Sequence, residues 1–158
     1  LHFEVRDENK KTSRYEFDFL GACQRSTGCK TSEFLFYYVG MKDLAPNIKR
    51  QRLLIEGFYQ INVNKDTIVE FFKSITHSLN LRMYGEPIIF SPGGEGKEEN
   101  QGYDAFVPLI DSGISLYIWS NARFVSLIIY TCKSFDGQIA LEATKDFFKI
   151  TEVESQEF

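Results

Sequence analysis

The chain has 158 residues, 43% of them hydrophobic and 15% aromatic, with 15 phenylalanines and 8 tyrosines. That is enough apolar material for one packed domain that buries about two thirds of its unfolded surface. A net charge of −4 with no basic block excludes the electrostatic footprint of a nucleic-acid binder, and no apolar run reaches membrane-spanning length.

Residues 1–13 turn polar and charged after His2-Phe3 and read as a loose lead-in. Tyr15, Phe17 and Phe19 then alternate with polar neighbours, and Phe34 to Val39 is aromatic on both faces. Two strands joined by a Gly21–Ser32 loop are expected here, forming an N-terminal β-hairpin within an extension that runs to residue 49. Cys23 and Cys29 lie in that loop as a C-x5-C pair with no cysteine or histidine nearby, and with Cys132 the count is odd. Neither a disulfide framework nor a metal site follows, and reduced thiols point to a cytoplasmic protein; no signal-peptide pattern opens the sequence.

Arg52 to Val63 reads as the first strand of a core spanning residues 50–149. Thr67-x-x-Glu70 is a capping-box pattern, and Ile68, Phe71, Phe72, Ile75 and Leu79 recur at helical spacing behind it. His77 belongs to the polar face of that helix. A short strand is expected at Pro87–Phe90, and the Gly- and Glu-rich segment Ser91–Gly102 reads as a mobile hairpin connection. It lacks the hydroxyl residue after Lys97 that a phosphate loop needs, and two glutamates there repel phosphate. Asp104 to Ile110 leads into Asp111-Ser112-Gly113, where Gly113 allows a strained Asp111-Ser112 peptide bond. Ile114, Leu116 and Ile118 then alternate with Ser115, Tyr117 and Trp119, and a strand from Phe124 to Thr131 returns after a turn at Ser120-Asn121-Ala122. A hairpin of these two strands puts Ser112 and Cys132 at the same end. The chain closes with a helix from about Asp136 to Lys149, its stripe made of Ile139, Ala140, Ala143 and Phe147, and a polar tail over 150–158. The economical architecture is α+β: an antiparallel sheet with two helices on one face.

Asp111-Ser112-Gly113, Leu116-Tyr117-Ile118-Trp119-Ser120-Asn121 and Tyr130-Thr131-Cys132 together resemble the prokaryotic S-adenosylmethionine decarboxylases. Those enzymes make a pyruvoyl cofactor from an internal serine; their motif runs Glu-Ser-His, then His-Thr-Trp-Pro-Glu, then Phe-Thr-Cys. The twenty residues from Ser112 to Cys132 are the family's separation, and the likeness covers roughly residues 50 to 149. It implies a decarboxylase-like fold in which two copies stack their sheets into an α-β-β-α homodimer. It also implies catalytic positions at Ser112, Cys132, Asp111 and Tyr117.

The departures concern chemistry. Tyr117 stands at the family's processing histidine, and a phenol of pKa about 10 is a poor proton shuttle at neutral pH. Asn121 replaces the glutamate that holds the substrate ribose, Asp104 an upstream serine that assists processing, and Gly113 the histidine after the serine. The resulting expectation is a member that does not cleave itself, so that no cofactor is present unless Ser112 becomes pyruvoyl. It would bind S-adenosylmethionine or a related amine or nucleoside, with Phe58, Phe90 and Trp119 as stacking surfaces and Asp104 and Asn121 as polar contacts. One alternative is an active pyruvoyl decarboxylase of S-adenosylmethionine or a basic amino acid. The other is a non-catalytic assembly module.

Overall fold

A computed structural model of the chain describes residues 44–158 in full and, before them, the backbone of three short strands. The chain divides into two compact units, Leu1–Asp43 and Leu44–Phe158. In the first, β1 (His2–Arg6) pairs antiparallel with β2 (Thr12–Phe17), and β2 with the two-residue β3 (Cys23–Gln24). The N-terminal unit thus contains a β-hairpin, β1–β2, with Tyr15 and Phe17 on its second strand. The expected loose lead-in contains a strand because Phe3 and Val5 alternate with Glu4 and Arg6, a pattern only five residues long. Phe34 to Val39 and Cys29 lie outside the described residues.

The second unit is a six-stranded antiparallel sheet in the order β5-β6-β7-β8-β4-β9. Its strands are β4 (Gln51–Phe58), β5 (Ile88–Phe90), β6 (Gly102–Leu109), β7 (Ser112–Trp119), β8 (Phe124–Thr131) and β9 (Val153–Glu157). β9 occupies the stretch expected as a polar tail: its main-chain groups pair along β4 from Leu53↔Glu157 to Gly57↔Val153, and backbone hydrogen bonds do not require apolar side chains. Strand periodicity sorts the side chains to two faces. Leu53, Ile55, Val107, Ile114, Leu116, Val125, Leu127 and Ile129 point into the core.

Two helices cover that face. α1 (Lys65–Ser78) buries Ile68, Phe71, Phe72 and Ile75, the stripe expected from the sequence. Its capping box begins earlier than expected: Asn64 is the N-cap, accepting from the Thr67 N–H at 2.9 Å. An acceptor there satisfies one of the orphan amides of the first turn, a contribution of about 1 kcal/mol. α2 (Gly137–Phe148) is capped by Asp136, which accepts from the amides of Gln138 and Ile139. Its buried side is Ala140, Thr144 and Phe148, rotated by one residue from the expected stripe, and Ile139 is exposed. The helices lock through aromatic rings, Phe71 lying 4.6 Å from Phe148 and 5.2 Å from Phe147 between centroids. Among the described residues no helix is long and apolar enough to cross a membrane.

The other sheet face carries no helix in this unit. Phe58, Ile88, Phe90, Phe106, Ile128 and Tyr130 lie on it, each more than a third exposed.

Candidate active site

β6 and β7 are joined by a two-residue turn, Ile110-Asp111, which closes the register at Leu109↔Ser112. Ser112 takes φ +133°, a region that L-residues with a side chain rarely occupy. The unusual backbone thus sits on the serine itself, not on Gly113. The role of Gly113 is steric: a Cβ there would meet the Phe106 ring at 2.5 Å.

β8 runs beside β7 with Ser112 opposite Thr131, so Cys132, the next residue, arrives at the serine. Its Sγ is 3.4 Å from Ser112 Oγ. Its backbone N–H donates to the Asp111 carbonyl oxygen at 2.9 Å. Asp111, Ser112 and Cys132 therefore form one cluster, at the end of the hairpin where the sequence puts it. Chemically it holds a hydroxyl, a thiol and a polarised carbonyl on the peptide that precedes the hydroxyl.

The remaining predicted residues stand elsewhere. Tyr117 is five positions along β7 and Trp119 seven, about 17 Å and 23 Å from Ser112 at strand rise. Tyr117 pairs with Asp104 on one side and Ser126 on the other, and Asp104 faces Phe90 on the edge strand. Trp119, Phe124 and Phe58 form a row across three strands at the far end, with ring centroids 5.5 Å apart at each step. Beside that row a shallow pocket of about 440 Å³ is lined by Glu56, Phe58, Phe124, Glu152 and Glu154, among others. Asn121 lies in the β7–β8 turn, and its Nδ2 donates to the Glu98 carbonyl at 2.8 Å.

That bond ties the turn to the segment expected as a mobile connection, which has its own internal order. Gln101 accepts from the Gly94 amide and donates to the carbonyls of Glu95 and Lys97. Gly93, Gly94 and Gly96 all have positive φ, so the glycines of this loop serve its turns.

One protomer thus has a reactive end, Asp111, Ser112 and Cys132, and an aromatic end, Phe58, Trp119 and Asn121. Phe90, Asp104 and Tyr117 lie between them on the sheet. Sequence reasoning missed Phe124 and Phe106, although their alternation with buried Val125 and Val107 marks them as residues of the open face.

Comparison with known proteins bears on this arrangement. Residues 58–158 match the family model for S-adenosylmethionine decarboxylase. Among solved structures, the adenosylmethionine decarboxylase from Aquifex aeolicus VF5 is similar in fold, with a TM-score of 0.55 and 17% sequence identity over 70% of this chain and 89% of that one. No curated protein matches the chain.

Proposed function

The chain belongs to the S-adenosylmethionine decarboxylase family, and on that premise we propose a diverged member that keeps its Asp111–Ser112 bond and binds S-adenosylmethionine or a related amine or nucleoside. The observation that carries this reading is the surroundings of Ser112. Among the described residues the side-chain partner of its hydroxyl is the Cys132 thiol, and the processing position of the family is a phenol about 17 Å along the strand. Cleavage asks the hydroxyl to attack the Asp111 carbonyl and a base to take protons from the oxygen and then the α-carbon. Losing such a base costs about 10²–10⁴-fold in rate.

The reading includes a homodimer through the open face, because six large apolar side chains exposed together on one sheet are a surface that monomers rarely carry. A two-fold axis lying between the sheets and across the strands would set the reactive end of one copy against Tyr117 and Asp104 of the other. The groups then presented to Ser112 are a phenol and the Asp104 carboxylate in place of the family's histidine, and the phenol is a poor base at neutral pH.

A second reading, an active decarboxylase, is favoured by a specific observation: Ser112 is at φ +133° and the Asp111 carbonyl already accepts a hydrogen bond. The nucleophile, the strained backbone and an oxyanion donor fit the formation of a pyruvoyl group; the proton acceptor does not. That group, once formed, supplies an electron-withdrawing carbonyl for decarboxylation.

Intact mass under denaturing conditions separates the two, with a single full-length species expected. Two fragments split between residues 111 and 112, the second with a pyruvoyl terminus, would establish the second reading. Calorimetry with S-adenosylmethionine, its decarboxylated form, putrescine and spermidine should give at least one saturable isotherm. Silence from the whole set would leave an assembly module.

A further inference from the structure

The open face is crossed by rows of side chains that the strand registers bring level. The central row runs Ile88, Phe106, Ser115, Ile128, Leu54, Gln156 and is mostly apolar. Ile88, Phe106 and Ile128 in it are 51%, 41% and 40% exposed. One step toward the aromatic end lies an acidic row, in which Asp104, Tyr117, Ser126, Glu56 and Glu154 are successive partners. One step toward Ser112, Arg52 stands beside Tyr130, its guanidinium carbon 5.4 Å from the ring centroid. On β4 the open face therefore reads Arg52, Leu54, Glu56. A cation and an anion lie at equal distances, about 7 Å, on either side of the central row.

Neither charge is answered within the protomer. Glu56 and Glu154 are direct cross-strand partners, and like charges placed opposite each other are destabilising. Among the described residues no opposite charge lies within ion-pair distance of either of them, or of Arg52. A guanidinium over an aromatic ring still has its in-plane N–H groups free, and that fork matches the two oxygens of a carboxylate.

We infer that two copies stack these faces about a two-fold axis running along the central row, so that each Arg52 meets the partner's Glu56 and Glu154. This deepens the proposed function and rests on its homodimer. Rotation about that axis lays each strand on its own copy in reverse. Leu54 then falls on the partner's Leu54 and Arg52 on the partner's Glu56, across sheets about 10 Å apart. Symmetry makes the contact twice. The other stacking, about an axis parallel to the strands between β7 and β8, keeps every row at its own level and reverses its order. It would set Glu56 against the partner's Asp104 and leave Arg52 against the partner's Pro108, with no anion to meet it. The charges therefore select the antiparallel stack and fix its register.

Sedimentation equilibrium of the intact protein and its charge variants tests the arrangement. Arg52→Gln and Glu56→Gln remove one charge each with little change of shape, and each should raise the dimer dissociation constant about tenfold or more, since the contact is lost at two places. Raising salt from about 0.1 M to about 1 M should weaken the parent dimer more than either glutamine variant. Arg52→Glu makes the face acidic throughout, and Glu56→Lys combined with Glu154→Lys makes it basic along β4 and β9. Each of these proteins should be monomeric where the parent is dimeric. An equimolar mixture of the two should dimerise, because each copy carries the charge that the other lacks, and native mass spectrometry reads the mixed pair by its mass. If a charge-reversed protein shows no cooperative unfolding transition, the glutamine variants decide. A monomeric parent leaves the face to a different occupant and overturns both the inference and the homodimer of the proposed function. A parent dimer unmoved by Arg52→Gln, or two folded, repelling variants that do not rescue each other, overturns the inference alone.

Discussion

The backbone N–H of Cys132 donates to the carbonyl oxygen of Asp111 at 2.9 Å, while the thiol of the same residue lies 3.4 Å from the Ser112 hydroxyl. One residue therefore contacts both the peptide bond before Ser112 and the Ser112 side chain. Ser112 stands between these contacts at φ +133°, where a side chain is strained by about 1–3 kcal/mol.

Replacing that side chain with hydrogen should stabilise the fold. Ser112→Gly removes the strain and loses part of the gain to the greater freedom of glycine in the unfolded chain, a net gain of about 1 kcal/mol. Ser112→Ala keeps the Cβ and should bring none of it. Thermal unfolding of the two variants beside the parent decides the matter. A Ser112→Gly protein no more stable than Ser112→Ala would mean that the backbone at 112 carries no strain.

The contact between Gly113 and Phe106 gives a second expectation. A methyl at 113 would sit 2.5 Å from the ring atoms of Phe106, so Gly113→Ala must displace the ring or bend the strand, at about 1–3 kcal/mol. Removing the ring with Phe106→Ala should make Gly113→Ala nearly neutral. A double-mutant cycle by urea unfolding checks it, and strictly additive losses would show that the ring and the glycine do not oppose each other.

The residues differ in how much they disclose in the sequence. Ile114, Leu116 and Ile118, like Ile68, Phe71, Phe72 and Ile75, announce their faces because burial on one side imposes a period on the chain. Meeting of Ser112 and Cys132 follows from two strands of equal length joined by a short turn. β9 was hidden because an edge strand of Val-Glu-Ser-Gln-Glu earns its place through main-chain bonds that leave no mark on side-chain polarity. The separation of Tyr117, Trp119 and Asn121 from Ser112 was equally hidden. Closeness in a motif of ten residues becomes distance once the motif is extended at about 3.3 Å per residue. Arg52 and Tyr130 are 78 residues apart, a partnership that only the register of β4 on β8 creates.

The open sheet face gives the third expectation. Ile128 sits on β8, is 40% exposed, and is flanked in register by Leu54 and Ser115. A carboxylate there costs little in a monomer, where water reaches it, and much between two stacked sheets, where the charge would be desolvated without a partner. Ile128→Glu should therefore leave the thermal stability of the isolated subunit within about 0.5 kcal/mol and convert a dimer into a monomer. Light scattering at micromolar concentration reads both proteins; a parent that is already monomeric would sink the dimer.

The last expectation concerns alkaline pH. Tyr59 follows β4 and is 3% exposed, with its ring 6.3 Å from that of Phe148. Burial raises its phenol above the ordinary value of 10.0, and a hydrogen bond with the Ser120 side chain and the charge of Arg123 offset part of that rise. The folded protein therefore holds this proton more tightly than the unfolded chain does. Its contribution to stability is complete below the unfolded pKa and is lost as pH climbs from there through the higher folded value. At neutral pH, Tyr59→Phe should be less stable by about 1 kcal/mol, the net worth of the lost hydrogen bond. As pH rises past about 10 the parent must pay to ionise or to keep a buried phenol, and the variant has none. The gap in unfolding free energy should narrow and then reverse. Urea unfolding of both proteins from pH 7 to pH 11 measures it, and a gap that stays constant over that range would show that burial of the Tyr59 hydroxyl does not govern its ionisation.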